Sequence, residues 1–541
     1  MRVTHDQEHS HLVLMQNSKK LIMKRTLIKL MKPVLATAFL SLLTVSCTDL
    51  AIEESDSIIA EGSTVFEGVA DVDASITNLY NDTYGQLGDQ GNFFALNEVS
   101  TDETLVPTRG TDWGDNGIWR TLHAHTWSPT HSFVLGTWNN LNQNVLRASQ
   151  IIDPLSAPSA EQEAQARFLR AFSMFFVLDM WGVAPYRNPT DGSDVNPSIL
   201  SSLEAYDFII NDLTAALPNL PVAGPGPTEE GHSRANRAAG NFLLAKVMLN
   251  AQRYTGSEPN YQGVIDAVDA ISAEGYAAQA GYFDIFKQDI PDTETIWYAK
   301  AGVGNRIWNG LHYNQNSPDN SGGGWNGFTT LAEFYDSFEG GEDNSAGAGQ
   351  EERRGYVPGA SDSNSANLGI GYGFLVGQQY EEDGTILKDR TGNPLVFSKE
   401  LPGLSGNGES TGIRIIKYHP GDDGGSFRSH EIVFRYADAH LMKAEAMMRM
   451  GGNATPMVNT LRTLRGASPL GSVSEADMLA ERGRELYVEF WRRNDMVRFG
   501  QFTSDWEFKN PASVGDTKWN LFPIPVNALL SNPNLVQNAG Y

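Results

Sequence analysis

The chain has a single cysteine, Cys47, so no intramolecular disulfide framework can brace it. Positive charge is also scarce: 40 Lys and Arg stand against 65 Asp and Glu, a formal net charge of -25. Such a surface repels phosphate backbones and excludes nucleic acid as a natural partner. It suits a neutral ligand better. The apolar run from Val34 to Val45 falls well short of the ~20 residues a membrane-spanning helix needs. The G-x-S-x-G elbow and the P-loop are missing, and so is the HExxH zinc pair. His123, His125 and His131 have no cysteine beside them, and i, i+2 spacing does not suit a helix, so they read as structural histidines. The run DWGDNG at 112–117 lacks the residue order of a calcium loop. Neither a metal nor a cofactor is expected. A pair of glycosidase carboxylates is not excluded by spacing alone.

What is present begins at the N-terminus. Residues 1–22 are polar, and from Met23 the chain reads MKRTLIKLMKPVLATAFLSLLTVSC. A basic head (Lys24, Arg25, Lys29, Lys32), a short apolar stretch and small Ser46 before Cys47 describe a secretory signal, with translation expected to start at Met23. The cut site resembles the bacterial lipobox, with Thr44 where leucine is usual and Leu43 one place back. Cys47 is therefore the expected lipidation site, where two or three acyl chains would anchor firmly at about 0.8 kcal/mol per buried methylene. Residues 1–46 are read as the signal region and 47–65 as a lipidated tether. Asp49, Glu53, Glu54 and Asp56 crowd that tether, either as a solvated spacer or as a signal resembling the acidic surface-export motifs of Gram-negative lipoproteins.

The mature chain reads as mainly α. Apolar residues recur at helical spacing over 162–181, 203–217, 235–254, 261–275, 432–450, 455–465 and 475–499, and Gly182 and Pro185 stop the first of these. Small residues at Ala437, Ala439, Ala444 and Ala446 let neighbouring helices approach closely, which suggests tetratricopeptide-like pairs. Between about 280 and 430, Gly, Asn, Asp and Ser take over, with a hairpin expected at 381–397. A long irregular region on a helical scaffold is where function concentrates.

Several motifs carry a family resemblance. NEVSTDE (97–103), EAQARFLRAFSMFFVLDMWGVAP (163–185), RYADAHLMKAEAMMRMGG (435–452), ERGRELYVEFWRRNDMVRFGQF (481–502) and LFPIPVNALLSNPNLVQNAGY (521–541) resemble the SusD/RagB family. They cover almost all of the mature chain. The resemblance implies one SusD-like domain over 66–541, with an N-terminal family region of about 66–230 and a C-terminal one of about 280–541. Its expected architecture is a right-handed superhelix of four tetratricopeptide-like helix pairs with an irregular ligand-binding half and a few short β-hairpins. It further implies a non-catalytic outer-membrane lipoprotein that caps a SusC-like, TonB-dependent transporter partner and acts as a lid that holds a nutrient for import. The nutrient is glycan in most members and peptide in the RagB branch. A surface glycoside hydrolase and a scaffold that binds only its transporter are the rivals from other classes. Glu485, Glu489 and Arg493, four apart, are expected to form ion pairs along one helix face rather than a catalytic set.

Sugars present flat C–H faces rimmed by hydroxyls, so a binder needs aromatic plates and fixed polar groups. In the loop 101–119, Arg109, Asp112 and Trp113 are candidates, against the alternative of a self-satisfied turn around a buried tryptophan. In 305–327 the candidates are Trp308, Tyr313 and Trp325, against packing on the scaffold. Trp325 precedes a helix expected over Thr330 to Phe338, where the resemblance implies a tryptophan that stacks on sugar. Starch-binding members carry an aromatic pair after the TDE motif; Val106 and Thr108 stand there in this chain, which argues against starch.

Overall fold

The computed structural model describes residues 65–192, 194–287, 291–315, 323–342, 344–422 and 430–541. The expected signal, Cys47 and the acidic tether residues lie outside them. The main helices are α1 (Val72–Gly88), α2 (Ser132–Ile152), α3 (Ala160–Trp181), α4 (Ser202–Ala216) and α5 (Arg237–Leu249). They continue with α6 (Tyr261–Ala273), α7 (Tyr436–Arg449), α8 (Thr455–Leu464), α9 (Glu475–Leu486) and α10 (Arg492–Arg498). Neighbours in sequence are largely neighbours in space: α2 packs on α3, α3 on α4, α5 on α6, α6 on α7, and α7 on α8 and α9.

Local chemistry sets these elements. Ser159 and Gln162 close a capping box at the start of α3, and Gly182 ends it in the left-handed region at φ 75, a conformation that glycine adopts without a Cβ clash. Phe168, Phe172, Phe175 and Phe176 are all buried, and a helix apolar on every side belongs inside. Full burial of each such ring contributes roughly 1.5–3 kcal/mol. Ala437, Ala439, Ala444 and Ala446 are fully buried on α7, as close helix approach requires.

The strands are short. β1 (Ala184–Tyr186) pairs with β2 (Ser198–Leu200), and β3 (Thr295–Ala299) is an antiparallel partner of the last strand, Glu431–Arg435. β4 (Gly355–Tyr356), β5 (Tyr372–Leu375) and Arg414–Ile416 make a three-stranded sheet. Gly377–Gln378 pairs with Val396–Phe397, and bridges Tyr380–Ile386 and Lys388–Pro394 continue inside it, so residues 381–397 form the expected hairpin.

Three helical expectations need correction. Residues 431–435, EIVFR, are a fully buried strand rather than the start of a helix, because β-branched and aromatic side chains pack well on a pleated surface. The 235–254 helix breaks at Asn250, with a separate short helix over Ala251–Thr255. The 475–499 helix breaks between Leu486 and Arg492, where Val488 and Phe490 take φ 53 and φ 75. The face expected to align Glu485, Glu489 and Arg493 therefore does not exist. Glu489 instead pairs with Arg435 at 2.6 Å and with Lys417, and Arg493 pairs with Asp179 at 2.6 Å.

The family-like motifs interlock. Asp102 receives both prongs of Arg492 at 2.7 and 2.6 Å, and Glu103 accepts the Val488 amide. The closing segment docks on the end of α3: Trp181 Nε1 donates to the Pro523 carbonyl at 3.0 Å, and Phe522 N to the Met180 carbonyl at 2.8 Å. His123, His125 and His131 are buried, and each has its Nε2 within hydrogen-bond distance of a backbone carbonyl, of Glu507, Ser100 and Ile118 respectively.

Candidate ligand-binding face

Three loop segments run side by side. Leu105 and Thr329 exchange both backbone hydrogen bonds at 2.9 and 3.0 Å, and Thr330 N donates to the Ile413 carbonyl at 3.1 Å. This short ladder brings the 105–113, 323–330 and 407–414 segments together, and most of the residues singled out from the sequence sit on it.

Two of those residues turn inward. Arg109 is 2% exposed, and its Nη1 donates to the Gly408 carbonyl at 3.1 Å and to the Thr411 carbonyl at 2.6 Å. Burial pushes its guanidinium down to about 9. It pins the 407–411 loop rather than facing solvent, so the expectation of a ligand contact there is corrected. Trp308 is also buried, and its carbonyl accepts the Trp325 amide at 2.7 Å. For Trp308 the packing alternative describes the structure.

Trp113 is half-buried and braces the next residue out. Its Nε1 donates to the Trp325 carbonyl at 2.8 Å, and its ring meets Trp119 and Phe328 edge-on. A Cβ on Gly327 would lie 2.5 Å from that ring, so only glycine allows the contact. Trp325 is thus held through both its N–H and its C=O while its side chain stands 38% exposed. Among the described residues it is the one exposed tryptophan. The helix that follows is shorter than expected, Ala332–Asp336.

A charged cluster lies beside it. Tyr313 Oη donates to Asp112 Oδ2 at 2.6 Å. That bond, with Arg390 at 3.1 Å, holds the Asp112 carboxyl below its usual range. Arg390 stacks on the Tyr313 ring, 3.8 Å from its centroid, and donates to Glu409 Oε1 at 2.5 Å. The second Glu409 oxygen lies 3.2 Å from His312 Nε2. His312 is fully buried, and burial and then Arg414 push it down to about 4. Burial, followed by the Asp112 bond, raises the Tyr313 phenol.

Arg390, Glu409 and His312 escape the sequence reading. Arg390 sits in the turn of the 381–397 hairpin, and nothing in a DRTGN turn announces which ring it will cover. Glu409 reaches the cluster across 97 residues of chain from His312.

The arrangement offers one free aromatic plate, a second ring covered by a guanidinium, and carboxylate, phenol and guanidinium groups within hydrogen-bonding reach of one another. That suits holding a hydroxylated ligand. It does not suit general-acid chemistry, which needs a carboxyl with a raised pKa, whereas Asp112 is held down. At the positions of the starch-binding aromatic pair, Val106 is buried and Thr108 N donates to the Leu404 carbonyl at 3.0 Å.

A helical-repeat scaffold with a loop-built, half-exposed polar and aromatic face defines a binding protein. Residues 293–541 match the SusD family model. Over 499 residues the chain is 26% identical to the starch-binding protein SusD of Bacteroides thetaiotaomicron, covering 84% of this chain and 86% of that one. Among solved structures it is similar to a SusD-like protein from Bacteroides fragilis, with TM-score 0.67 and 19% identity over 90% of this chain and 99% of that one. It is also similar to surface glycan-binding protein A of Bacteroides thetaiotaomicron in complex with laminarihexaose, with TM-score 0.63 and 17% identity over 86% and 98%. The C-terminal part of the chain is thus similar to the SusD family, and the fold of the chain is mainly α and tetratricopeptide-like.

Proposed function

We propose that this chain is a non-catalytic surface lipoprotein of the outer membrane that binds glycan and passes it to a SusC-like, TonB-dependent transporter. The observation that carries this reading is Trp325: an exposed indole on a backbone fixed at both its N–H and C=O, beside the Asp112–Tyr313–Arg390–Glu409 cluster. A flat apolar plate next to convergent hydrogen-bonding groups is what a sugar ring requires. Trp325, Tyr313 and Asp112 are the contacts retained from the sequence, with Arg390 and Glu409 added. The names of the relatives, starch-binding and surface glycan-binding, support the same ligand class. Val106 and Thr108 in place of an aromatic pair favour a glycan other than starch. The acidic surface favours a neutral one.

Anchoring would be through Cys47, and residues 66–541 would act as one domain. A shallow platform binds weakly per site, and tethering beside a transporter raises the effective concentration of what it holds.

The test uses protein beginning after Cys47, run through native gels that contain a panel of plant, algal and microbial polysaccharides, with reducing ends assayed in parallel. The expected outcome is retardation by one class of glycan and no new reducing ends. New reducing ends would make the protein a hydrolase. Binding of oligopeptides with no retardation by any glycan would make it a peptide-capture protein.

A further inference from the structure

Away from the loop face, two of the rows of buried charge in the helical scaffold lie close to each other. One runs Arg449–Glu445–Arg498–Asp495–Arg482–Asp438–Lys246, with every link between 2.6 and 2.9 Å. The other is Arg253–Asp179–Arg493. Each carboxylate in these rows lies between two cations, so each row begins and ends on a cation. Both rows therefore carry one more positive charge than negative.

One end of each row opens on the same place. Arg449 and Arg253, with Arg498, line a cleft of about 200 Å³ shared with Asn250, Gln252 and Tyr261. Arg449 uses Nε on Glu445 at 2.9 Å, while its Nη2 is buried with no hydrogen-bond partner. The guanidiniums of Arg449, Arg253 and Arg498 thus stand together on the wall of one cleft. The nearby acids do not offset them. Glu475 reaches Arg449 only at 3.9 Å with its side chain 67% exposed, where water screens it, and Glu258 is exposed on the rim. The cleft is a positive concavity in a chain of net charge -25.

We propose that this cleft is a binding site for a tetrahedral oxyanion, phosphate or sulfate, free or carried on a larger molecule. Arginine forks match such oxygens in pairs. Here Nη1 of Arg449, whose nearest carboxylate is the exposed Glu475 at 3.9 Å, supplies the donor, and Arg253 and Arg498 supply the field. The inference does not depend on the glycan reading, since neither the residues nor the elements that hold them belong to the loop face.

Isothermal titration of the full-length protein with sodium phosphate, at ionic strength held constant with sodium chloride, tests it. Glycerol 1-phosphate is titrated in a second arm. Saturable one-to-one binding is expected, weakened at least tenfold by Arg449→Gln and abolished by Gln252→Trp, which fills the cleft from an exposed position. Tighter binding of phosphate marks a free-ion site, and tighter binding of the ester marks a site for a phosphate on a larger molecule. Absence of saturable binding in both arms overturns the proposal, as does equal binding in wild type and Gln252→Trp. Should Arg449→Gln fail to fold, the Gln252→Trp comparison decides alone.

Discussion

Glu485 sits fully buried among three guanidiniums, Arg435 at 2.7 Å, Arg465 at 2.8 Å and Arg353 at 3.2 Å. Asp112 meets a single arginine, Arg390, at 3.1 Å, with both side chains more than a third exposed. The side-chain chemistry is the same and its consequence is not. Around Glu485 the ions have only each other, and a buried charge that loses its partner cannot turn to water. Around Asp112 water competes for every bond, so the pair is worth little to stability and its groups are free to exchange water for the hydroxyls of a ligand. In this protein, burial separates the charge that builds the scaffold from the charge that can do work at its surface.

The largest effect expected from this contrast is on folding. Glu485→Ala should lower stability by about 3–5 kcal/mol, because it strands buried guanidiniums. A urea titration followed by circular dichroism reads this as a strongly lowered midpoint. A midpoint unchanged from wild type would mean that the network is not what holds the C-terminal helices.

The pH dependence sharpens the same point. Burial alone would raise Glu485 and Glu445, but their arginines hold both below the usual range. The stability they give is present above the unfolded value, about 4.3, and is lost as pH falls below it. Glu98 and Glu103 run the other way. Burial raises both, most strongly Glu98 beside Glu103, and Glu103 is pushed up to about 7. Their contribution is full below about 4.3 and is lost as pH rises toward 7. Buried histidines such as His123 and His312, both pushed down to about 4, add stability as pH rises over part of the same range, so the Glu103 contribution is read as a difference: the urea midpoint of Glu103→Gln should gain on that of the wild type as pH rises from 5 to 7. A Glu103→Gln profile that keeps the wild-type slope there would contradict the assignment.

The smallest stability change belongs to the exposed cluster. Arg390→Ala should shift the unfolding free energy by less than about 1 kcal/mol while changing glycan affinity several-fold in titration calorimetry. A large loss of stability would place Arg390 with the scaffold instead.

Much of the scaffold is legible in the sequence because its signals are local. The capping Ser159, the apolar run of α3 and the terminating Gly182 are all contained within 24 residues of chain, and the small residues of α7 declare close packing. α1 and α2 are not among the helices expected from the sequence, although their buried residues, such as Ile76, Leu79, Tyr80 and Tyr84 on α1 and Val134, Trp138, Leu141 and Val145 on α2, recur at helical spacing. The break at 487–491 was hidden because Val488 and Phe490 at positive φ contradict the preferences of their side chains; long-range bonds such as Glu103 to the Val488 amide hold them there. The face was legible only in part. Trp325, Tyr313 and Asp112 stood out by composition, but whether Arg109 and Trp308 faced in or out depended on segments distant in sequence. Arg390 and Glu409 became visible only once the hairpin was folded over Tyr313.

The measurement that bears most directly on the central claim is the affinity of Trp325→Ala for the glycan that retards the wild-type protein, taken together with its urea midpoint. The account predicts binding weakened at least tenfold, about 1.4 kcal/mol, with the midpoint unchanged. Wild-type affinity in the variant would show that the exposed indole is not the plate on which the ligand rests, and a collapsed midpoint would show that Trp325 belongs to the scaffold.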